Sequence, residues 1–251
     1  MIRMIIHGCN GVMGQKVAEM AAKDPMVEIV AGIDYNVNAR QNPFPVFAKL
    51  TECDVEADVV VDFSSAVAVD GLLDACVEKK LPLVLCTTGL SDEQLNHVQE
   101  AAKVIPILRS GNMSLGINLL MKVVEEVASV LLSADFDPEI VEKHHRRKLD
   151  APSATALMLA EAVNRAVDGS YDICLDRHER RMSRPKEEIG IQAVRGGTIV
   201  GEHEVIFAGP DELIEIRHVA YSRAIFANGA LQAAKAIAGR AAGLYDMQSV
   251  L

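Results

Sequence analysis

The chain has no tryptophan, and only 4 Tyr and 6 Phe among 251 residues. That leaves little with which to stack nucleobases. Cations are also scarce: 25 Lys plus Arg face 35 Asp plus Glu, a formal net charge of −10. Such a chain is a poor binder of phosphate backbones, and any local basic cluster in it becomes more informative. No apolar run approaches the roughly 20 residues that cross a bilayer as a helix. Ile5-Ile6 is followed at once by His7-Gly8, so the start does not read as a signal peptide. The five cysteines, Cys9, Cys53, Cys76, Cys86 and Cys174, form no CxxC pair. Their odd number and scattered spacing suit neither a disulfide framework nor zinc, and they read as small buried hydrophobes in a reducing compartment. The expectation is a cytoplasmic protein with no nucleic-acid partner, no membrane partner and no metal. What is present is ordinary for a globular chain: 50% hydrophobic and 24% charged residues, long enough for one large domain or two small ones.

The first hundred residues alternate short apolar runs with helical periodicity. Strands are expected at 2–7, 27–34, 57–62, 83–86 and 105–108, with helices at 11–22, 67–80 and 92–103. Near-continuous apolar strands separated by helices indicate a parallel sheet covered on both faces. After Arg109 the pattern changes. A long helix over 116–132 leads to a strand at 139–144, and a second helix starts near Pro152 and Ser153. Three strands follow, 189–195, 198–207 and 213–221, broken by Gly196-Gly197 and Gly209-Pro210-Asp211. Tight turns between adjacent strands read as an antiparallel sheet. The Ala-rich 224–243 segment reads as a final helix returning to the first domain.

The stretch Gly8-Cys9-Asn10-Gly11-Val12-Met13-Gly14 follows the first strand and opens the first helix. In this G-x-x-G-x-x-G spacing, Gly8 permits a tight turn, Gly11 lets backbone approach a pyrophosphate, and Gly14 permits close helix packing. The helix N-terminus offers free N–H groups to the phosphates. A glycine loop alone is equally a structural turn. Here Asp34 ends the second strand 20 residues beyond Gly14, where an acid hydrogen-bonds ribose hydroxyls. The turns Asp62-Phe63-Ser64-Ser65 and Cys86-Thr87-Thr88-Gly89 also follow apolar strands. Thr87 and Thr88 could meet the nicotinamide side of a dinucleotide, or simply cap.

A second cluster, His144-His145-Arg146-Arg147-Lys148, sets three fixed cations and two titratable rings into an acidic chain. Asp150-Ala151-Pro152-Ser153-Ala154-Thr155 then looks like a helix entry, with Pro152 in the first turn and Ser153 as cap. Unpaired N–H groups near Ala154 and Thr155, faced by His and Lys, make a plan for binding carboxylates. The competing interpretation is a solvated basic turn. Adjacent histidines on an extended segment point to opposite faces, which disfavours a metal. The other basic run, Arg177–Lys186, is interrupted by Glu179 and reads as a solvated loop.

The run from Glu142 to Ala156 closely resembles H-H-x-x-K-x-D-A-P-S-G-T-A, the signature of the 4-hydroxy-tetrahydrodipicolinate (dihydrodipicolinate) reductases of diaminopimelate and lysine biosynthesis. The resemblance extends over essentially the whole chain. It takes in the glycine loop, Asn112-Met113-Ser114-Leu115-Gly116-Ile117-Asn118, Arg195-Gly196-Gly197, Gly201-Glu202-His203-Glu204 and Ser222-Arg223-Ala224-Ile225-Phe226-Ala227. It implies an α/β fold: a Rossmann-type parallel sheet, with an inserted α+β substrate and oligomerisation domain on a mixed or antiparallel sheet. The dinucleotide-binding domain is expected at 1–113, completed by a C-terminal helix at 222–251, and the substrate domain at 114–221. It implies NAD(P)H-dependent reduction of a small cyclic dicarboxylate by a homotetramer. His144 matches the family's proton donor/acceptor and Lys148 its second proton donor; His145, Ser153, Ala154 (by its backbone) and Thr155 match substrate contacts. Gly8, Cys9, Asn10, Gly11, Val12, Met13, Asp34, Cys86, Thr87, Thr88, Ser110, Gly111, Asn112 and Met113 match cofactor contacts.

Two departures stand out. Ala154 replaces the signature glycine. Tyr35 and Val12 stand where family members can carry cations, leaving Arg40 as the nearest downstream cation. With Asp34 repelling a 2′-phosphate, NADH is expected to be preferred or equal, with NADPH possible. The rival readings are another two-domain dehydrogenase acting on a small acid or semialdehyde, and a dinucleotide-sensing regulator. Neither accounts for His144 and Lys148 together beside the Ser153 helix start.

Overall fold

A computed structural model describes residues 1–178 and 180–250. Glu179, within the second basic run, and Leu251, at the end of the expected C-terminal helix, lie outside the described residues. The chain divides into two compact units, Met1–Leu115 with Arg223–Leu251, and Gly116–Ser222.

The first unit runs β1 (Ile2–His7), α1 (Val12–Ala21), β2 (Val27–Ile33), β3 (Val46–Phe47), β4 (Val59–Asp62), α2 (Val69–Lys79), β5 (Leu83–Leu85), α3 (Asp92–Ala102) and β6 (Pro106–Arg109). Its wholly parallel sheet has the order β12-β6-β5-β4-β1-β2-β3, where β12 is Gly243–Tyr245. Order reverses between β1 and β4, the place where ligands of open α/β sheets collect beyond the strands' carboxyl ends. The central strands are apolar on both faces because both faces are covered. One core joins Met4, Ile6, Val59 and Val61 to α1 and to α6 (Ala224–Ile237). The other joins Ile5, Val60, Leu83 and Leu85 to α2 and α3. The C-terminal segment differs from the expected single helix: α6 stops at Ile237, Gly239 turns at φ +80°, and β12 adds a seventh strand beside β6. Close packing of α6 requires Gly229, where a Cβ would fall 1.6 Å from the Met113 carbonyl oxygen.

The second unit holds α4 (Leu115–Leu131), whose first residue lies at the division, then β7 (Asp137–His144), α5 (Ala154–Arg165), β8 (Asp172–Cys174), β9 (Glu188–Arg195), β10 (Gly201–Ala208) and β11 (Leu213–Ala220). The sheet order is β11-β10-β7-β9-β8, with β7 parallel to β9 and antiparallel to β10. The sheet is therefore mixed. The three late strands do not form the simple meander that their turns suggest, because β7 inserts between β9 and β10. Strict alternation along β7 buries Pro138, Ile140, Glu142 and His144 on one face. Ile140, Val205 and Phe207 meet Leu159 and Val163 of α5 there. The second basic run is tied down rather than freely solvated. Arg177 lies 2.6 Å from Glu139 and from Glu188, and Arg184 lies 2.8 Å from Asp137 and 2.9 Å from Glu139.

Candidate active site

The glycine loop of the first unit is built as its spacing requires. Gly8 has φ +79°, and a Cβ on it would sit 2.7 Å from the Phe63 carbonyl oxygen. A Cβ on Gly14 would sit 2.2 Å from the Gly8 carbonyl oxygen, so only glycine lets α1 approach the turn. Gly11 is the N-cap of α1 and caps without a side chain, which leaves the first-turn N–H groups accessible to an anion. Asp34, one residue past β2, accepts hydrogen bonds from the backbone N–H of Asn10 at 3.0 Å and of Asn36 at 3.1 Å. The Asp34 carboxylate and the loop are thereby one assembly. Arg40 donates through Nε to the Asn10 carbonyl at 3.1 Å, which ties its guanidinium to the glycine loop. Val12 is exposed and Tyr35 is 93% exposed, with no cation at either position. Cys9 is fully buried, and burial pushes its thiol up to about 11. Its side chain belongs to the core shared with α1 and α6. All five cysteines are free and buried.

At the ends of β1, β4 and β5 lies a buried network that sequence inspection did not reveal. Asp62 is fully buried; Oδ2 accepts from Thr87 Oγ1 at 2.6 Å, and Oδ1 accepts from the Ser64 N–H at 3.1 Å. His7 Nδ1 lies 2.6 Å from the same Oδ1. Thr87 is thus turned inward and held, whereas Thr88 is exposed. Cys86 is buried with its thiol raised by desolvation. Beyond β6, Ser110 Oγ donates to the Asn112 carbonyl and accepts from the Asn112 N–H, while Asn112 Oδ1 accepts from Ser114 N–H. Gly111 lies within this closed turn, and buried Met113 ends it against α6.

In the second unit, β7 delivers His144 at its last residue. The residue is 8% exposed, and its ring stands edge-on to His203, centroids 5.1 Å apart. Glu142, fully buried, faces it from two residues earlier, 2.6 Å from Nδ1. The Glu142 carboxylate also accepts from Arg195 at 2.6 and 2.7 Å and from the Ser153 N–H at 2.9 Å. Burial pushes its pKa up, but the bonds from Arg195, His144 and Ser153 outweigh that and hold it below the usual range. Burial pushes His144 below the ordinary histidine value; Glu142 opposes this, while the charges of Lys148 and Arg195 reinforce it. His203 is pushed down to about 3, first by burial and then by the neighbouring His144.

The helix entry departs from expectation in one respect. Ser153 is the N-cap, α5 begins at Ala154, and Pro152 therefore precedes the cap, joined through a cis peptide to Ala151. Ser153 Oγ accepts from the Ala156 N–H at 3.2 Å and lies 3.0 Å from His203 Nε2. With its N–H on Glu142, the buried Ser153 holds the helix start in place through three contacts. Ala154 is exposed and is not among the residues with positive φ, so its methyl fits the first turn without strain. Thr155 is half-buried in the same first turn. Lys148 Nζ lies 2.9 Å from Asp150 Oδ1, placing an ammonium beside the N-terminus of α5. His145 is the first residue after β7, and its Nδ1 is buried without a partner. Arg146 and Arg147 are exposed. No group of His, Cys, Asp or Glu among the described residues could hold a metal ion.

Glu142, Arg195 and His203 lie in motifs that carry the resemblance, but the sequence assigns none of them a role. The available signal was period two: Glu142 and His144 share a strand face. Arg195 and His203 join them only through register, Arg195 opposite His144 and His203 opposite Glu142.

Residues 2–113 match the family described as dihydrodipicolinate reductase, N-terminus, and residues 116–251 match dihydrodipicolinate reductase, C-terminus. A 4-hydroxy-tetrahydrodipicolinate reductase of Caldanaerobacter subterraneus subsp. tengcongensis is 53% identical, over 100% of this chain and 98% of its own. That of Clostridium novyi is 45% identical over the same shares. Among solved structures, the dipicolinate-bound dihydrodipicolinate reductase from Paenisporosarcina sp. TG-14 superposes with a TM-score of 0.82 at 26% identity, covering 99% of this chain and 98% of that one. Both halves of the chain thus belong to the 4-hydroxy-tetrahydrodipicolinate reductase family.

Proposed function

We propose that the chain reduces 4-hydroxy-tetrahydrodipicolinate to tetrahydrodipicolinate with loss of water, as the NAD(P)H-dependent reductase step of diaminopimelate and lysine biosynthesis. The observation that carries this reading is the assembly at the end of β7: His144, Lys148 and the N-terminus of α5, organised around buried Glu142. A dianionic substrate suits it. One carboxylate takes the place of Asp150, which here accepts from Lys148 and from the Ala154 N–H; His145, with a buried unpaired nitrogen, supplies a further contact. Ser153 acts by fixing that helix start, since both its polar groups are engaged.

The first unit holds the dinucleotide. Gly8 to Met13 cradle the pyrophosphate on α1, Asp34 takes the adenosine ribose, and Cys86 to Thr88 with Ser110 to Met113 border the nicotinamide. The missing side chains of Gly8 and Gly14, where a Cβ would strike backbone, fit such a cradle. When bound, the reduced nicotinamide supplies a hydride to the substrate ring. His144 delivers the proton that quenches the resulting ene-imine anion. Lys148 holds the carboxylate and assists departure of the hydroxyl as water. The ring of His144 starts below its ordinary pKa; the negative charge of the substrate raises it, so binding itself arms the acid.

NADH is preferred or equal, because Asp34 disfavours a 2′-phosphate and Tyr35 and Val12 supply no cation; Arg40, bonded to the Asn10 carbonyl of the loop, is the cation left to compensate. The enzyme works in the cytoplasm as a homotetramer. Supporting this, Val194 and Leu213 on the sheet face opposite α5 are 45% and 54% exposed, which suits covering by another copy. No described helix is long and apolar enough to cross a membrane. The test is loss of NADH absorbance when a dihydrodipicolinate synthase supplies fresh substrate. No loss beyond the enzyme-free rate rejects the reading. Lys148→Ala is expected to impair KM and kcat together, and light scattering of the full chain gives the subunit number.

A further inference from the structure

We propose that Glu142 is a positioning residue that fixes His144 as the Nδ1–H tautomer, keeps Nε2 as the atom that releases the proton, and ties that atom to the carboxylate-binding helix start. The proposal rests on the reading of His144 as the proton donor. Glu142 has no exposed surface, yet its carboxylate is surrounded by donors: His144 Nδ1 at 2.6 Å, two Arg195 nitrogens at 2.6 and 2.7 Å, and the Ser153 N–H at 2.9 Å. A buried carboxylate persists in ionised form only when paired and fully hydrogen-bonded, and Arg195 with a fixed positive charge meets that condition. An ionised carboxylate accepts only. His144 Nδ1 must therefore donate, in both the neutral ring and the imidazolium.

The chemistry follows with its protons balanced. In the imidazolium both nitrogens carry hydrogen. The Nε2–H bond breaks, its electron pair stays on the ring, and the proton bonds to the substrate anion. The neutral ring left behind is already the tautomer that Glu142 accepts, so no proton passes to Glu142 and no reorientation is needed. The other charged and titratable neighbours are Lys148 in the turn after β7, Arg195 on β9, His203 on β10 and, beyond it, His218 on β11. The first two are cations that oppose protonation of His144, and burial keeps His203 neutral. Glu142 is the anion that sustains the acid. Through the Ser153 N–H it also fixes the distance between this acid and the start of α5, so a single side chain sets the two points that a substrate must touch.

The test uses the full chain labelled with 15N-histidine, with the His144 signals assigned by their loss in His144→Gln. The wild-type protein should show neutral His144 protonated at Nδ1, against the Nε2–H form that free histidine favours. Glu142→Gln, which keeps an accepting oxygen but removes the charge, should lower the His144 pKa. The alkaline limb of its kcat profile should move to lower pH by about one unit, costing roughly tenfold in kcat on that limb, with a smaller change in KM. Glu142→Asp should recover part of the shift. A neutral wild-type His144 carrying its hydrogen on Nε2 overturns the assignment without any variant having to fold. A soluble Glu142→Gln enzyme with an unmoved His144 pKa overturns it as well. Near-normal turnover by His144→Gln is a different failure: it removes the proton-donor reading beneath the proposal, whatever the tautomer.

Discussion

Replacing Gly14 by Ala puts one methyl group where the structure has no room. The new Cβ would lie 2.2 Å from the Gly8 carbonyl oxygen, 2.7 Å from Cys9 Cα and 2.9 Å from Cys9 C. All three are backbone atoms of the turn itself, so no side chain can swing aside. Restoring an ordinary carbon–oxygen separation requires α1 to move by about 1 Å, at the 1–3 kcal/mol typical of overpacking. Ala returns up to about 1 kcal/mol in helix propensity. The net loss is about 1 kcal/mol, which lowers Tm by roughly 2–4 °C for a chain of this size. With the pyrophosphate seated as proposed, the same displacement carries the first-turn N–H groups away from it. Losing one hydrogen bond to a charged group, about 1.5–3 kcal/mol, weakens NADH binding roughly 10–150-fold. Gly71 is a matched control. It too is the third residue of its helix, but a Cβ there meets nothing within 4 Å. Gly71→Ala should therefore stabilise by about 0.5–1 kcal/mol and leave cofactor affinity unchanged. Thermal unfolding and calorimetric titration with NADH measure both arms. If Gly14→Ala behaves like Gly71→Ala in either measurement, the close approach of α1 to its turn is not what makes the cofactor cradle.

Four further outcomes follow from the two sites. His144→Gln should reduce steady-state turnover roughly 10²–10⁴-fold, the usual scale for a general acid, with little change in NADH affinity by titration. The ratio of kcat/KM for NADH to that for NADPH should be one or greater; Arg40→Ala should depress the NADPH value more than the NADH value, and a clear NADPH preference in the parent enzyme contradicts the reading of Asp34. Ala154→Gly should change substrate KM by less than about tenfold, under roughly 1.4 kcal/mol, because the exposed methyl leaves the backbone N–H in place; a much larger gain in kcat/KM points to a diverged substrate. His203, held neutral by burial down to about pH 3, gives a pH dependence of fixed sign. Below about pH 6.5 the unfolded chain takes up a proton there that the folded chain does not, so stability is full above that pH and falls on acidification at up to about 1.4 kcal/mol per unit. Urea denaturation at pH 7 and pH 5 should show this slope, and His203→Gln should flatten it.

The glycine loop, the apolar strands, the family signature and the cap at Ser153 were legible in the sequence because each depends on local chemistry. A tight turn needs Gly8, close helix approach needs Gly14, and a helix start needs a small hydroxyl residue. The alternation along β7 was equally local, and it already put Glu142 and His144 on one face. What sequence could not supply was pairing. Gly196-Gly197 joins β9 to β10 in the chain, yet β7 lies between them in the sheet, and that insertion brings Arg195 and His203 to Glu142. Likewise, Asp62 and Thr87 are 25 residues apart and meet only because β4 and β5 are neighbours. The short β12, three residues in a segment that reads as helix, becomes a strand because the edge of β6 offers it hydrogen bonds. Local sequence thus determined the glycine turn, the strand face that carries Glu142 and His144, and the helix start at Ser153. Strand order and register, set by long-range packing, decided which buried charges hold them in position.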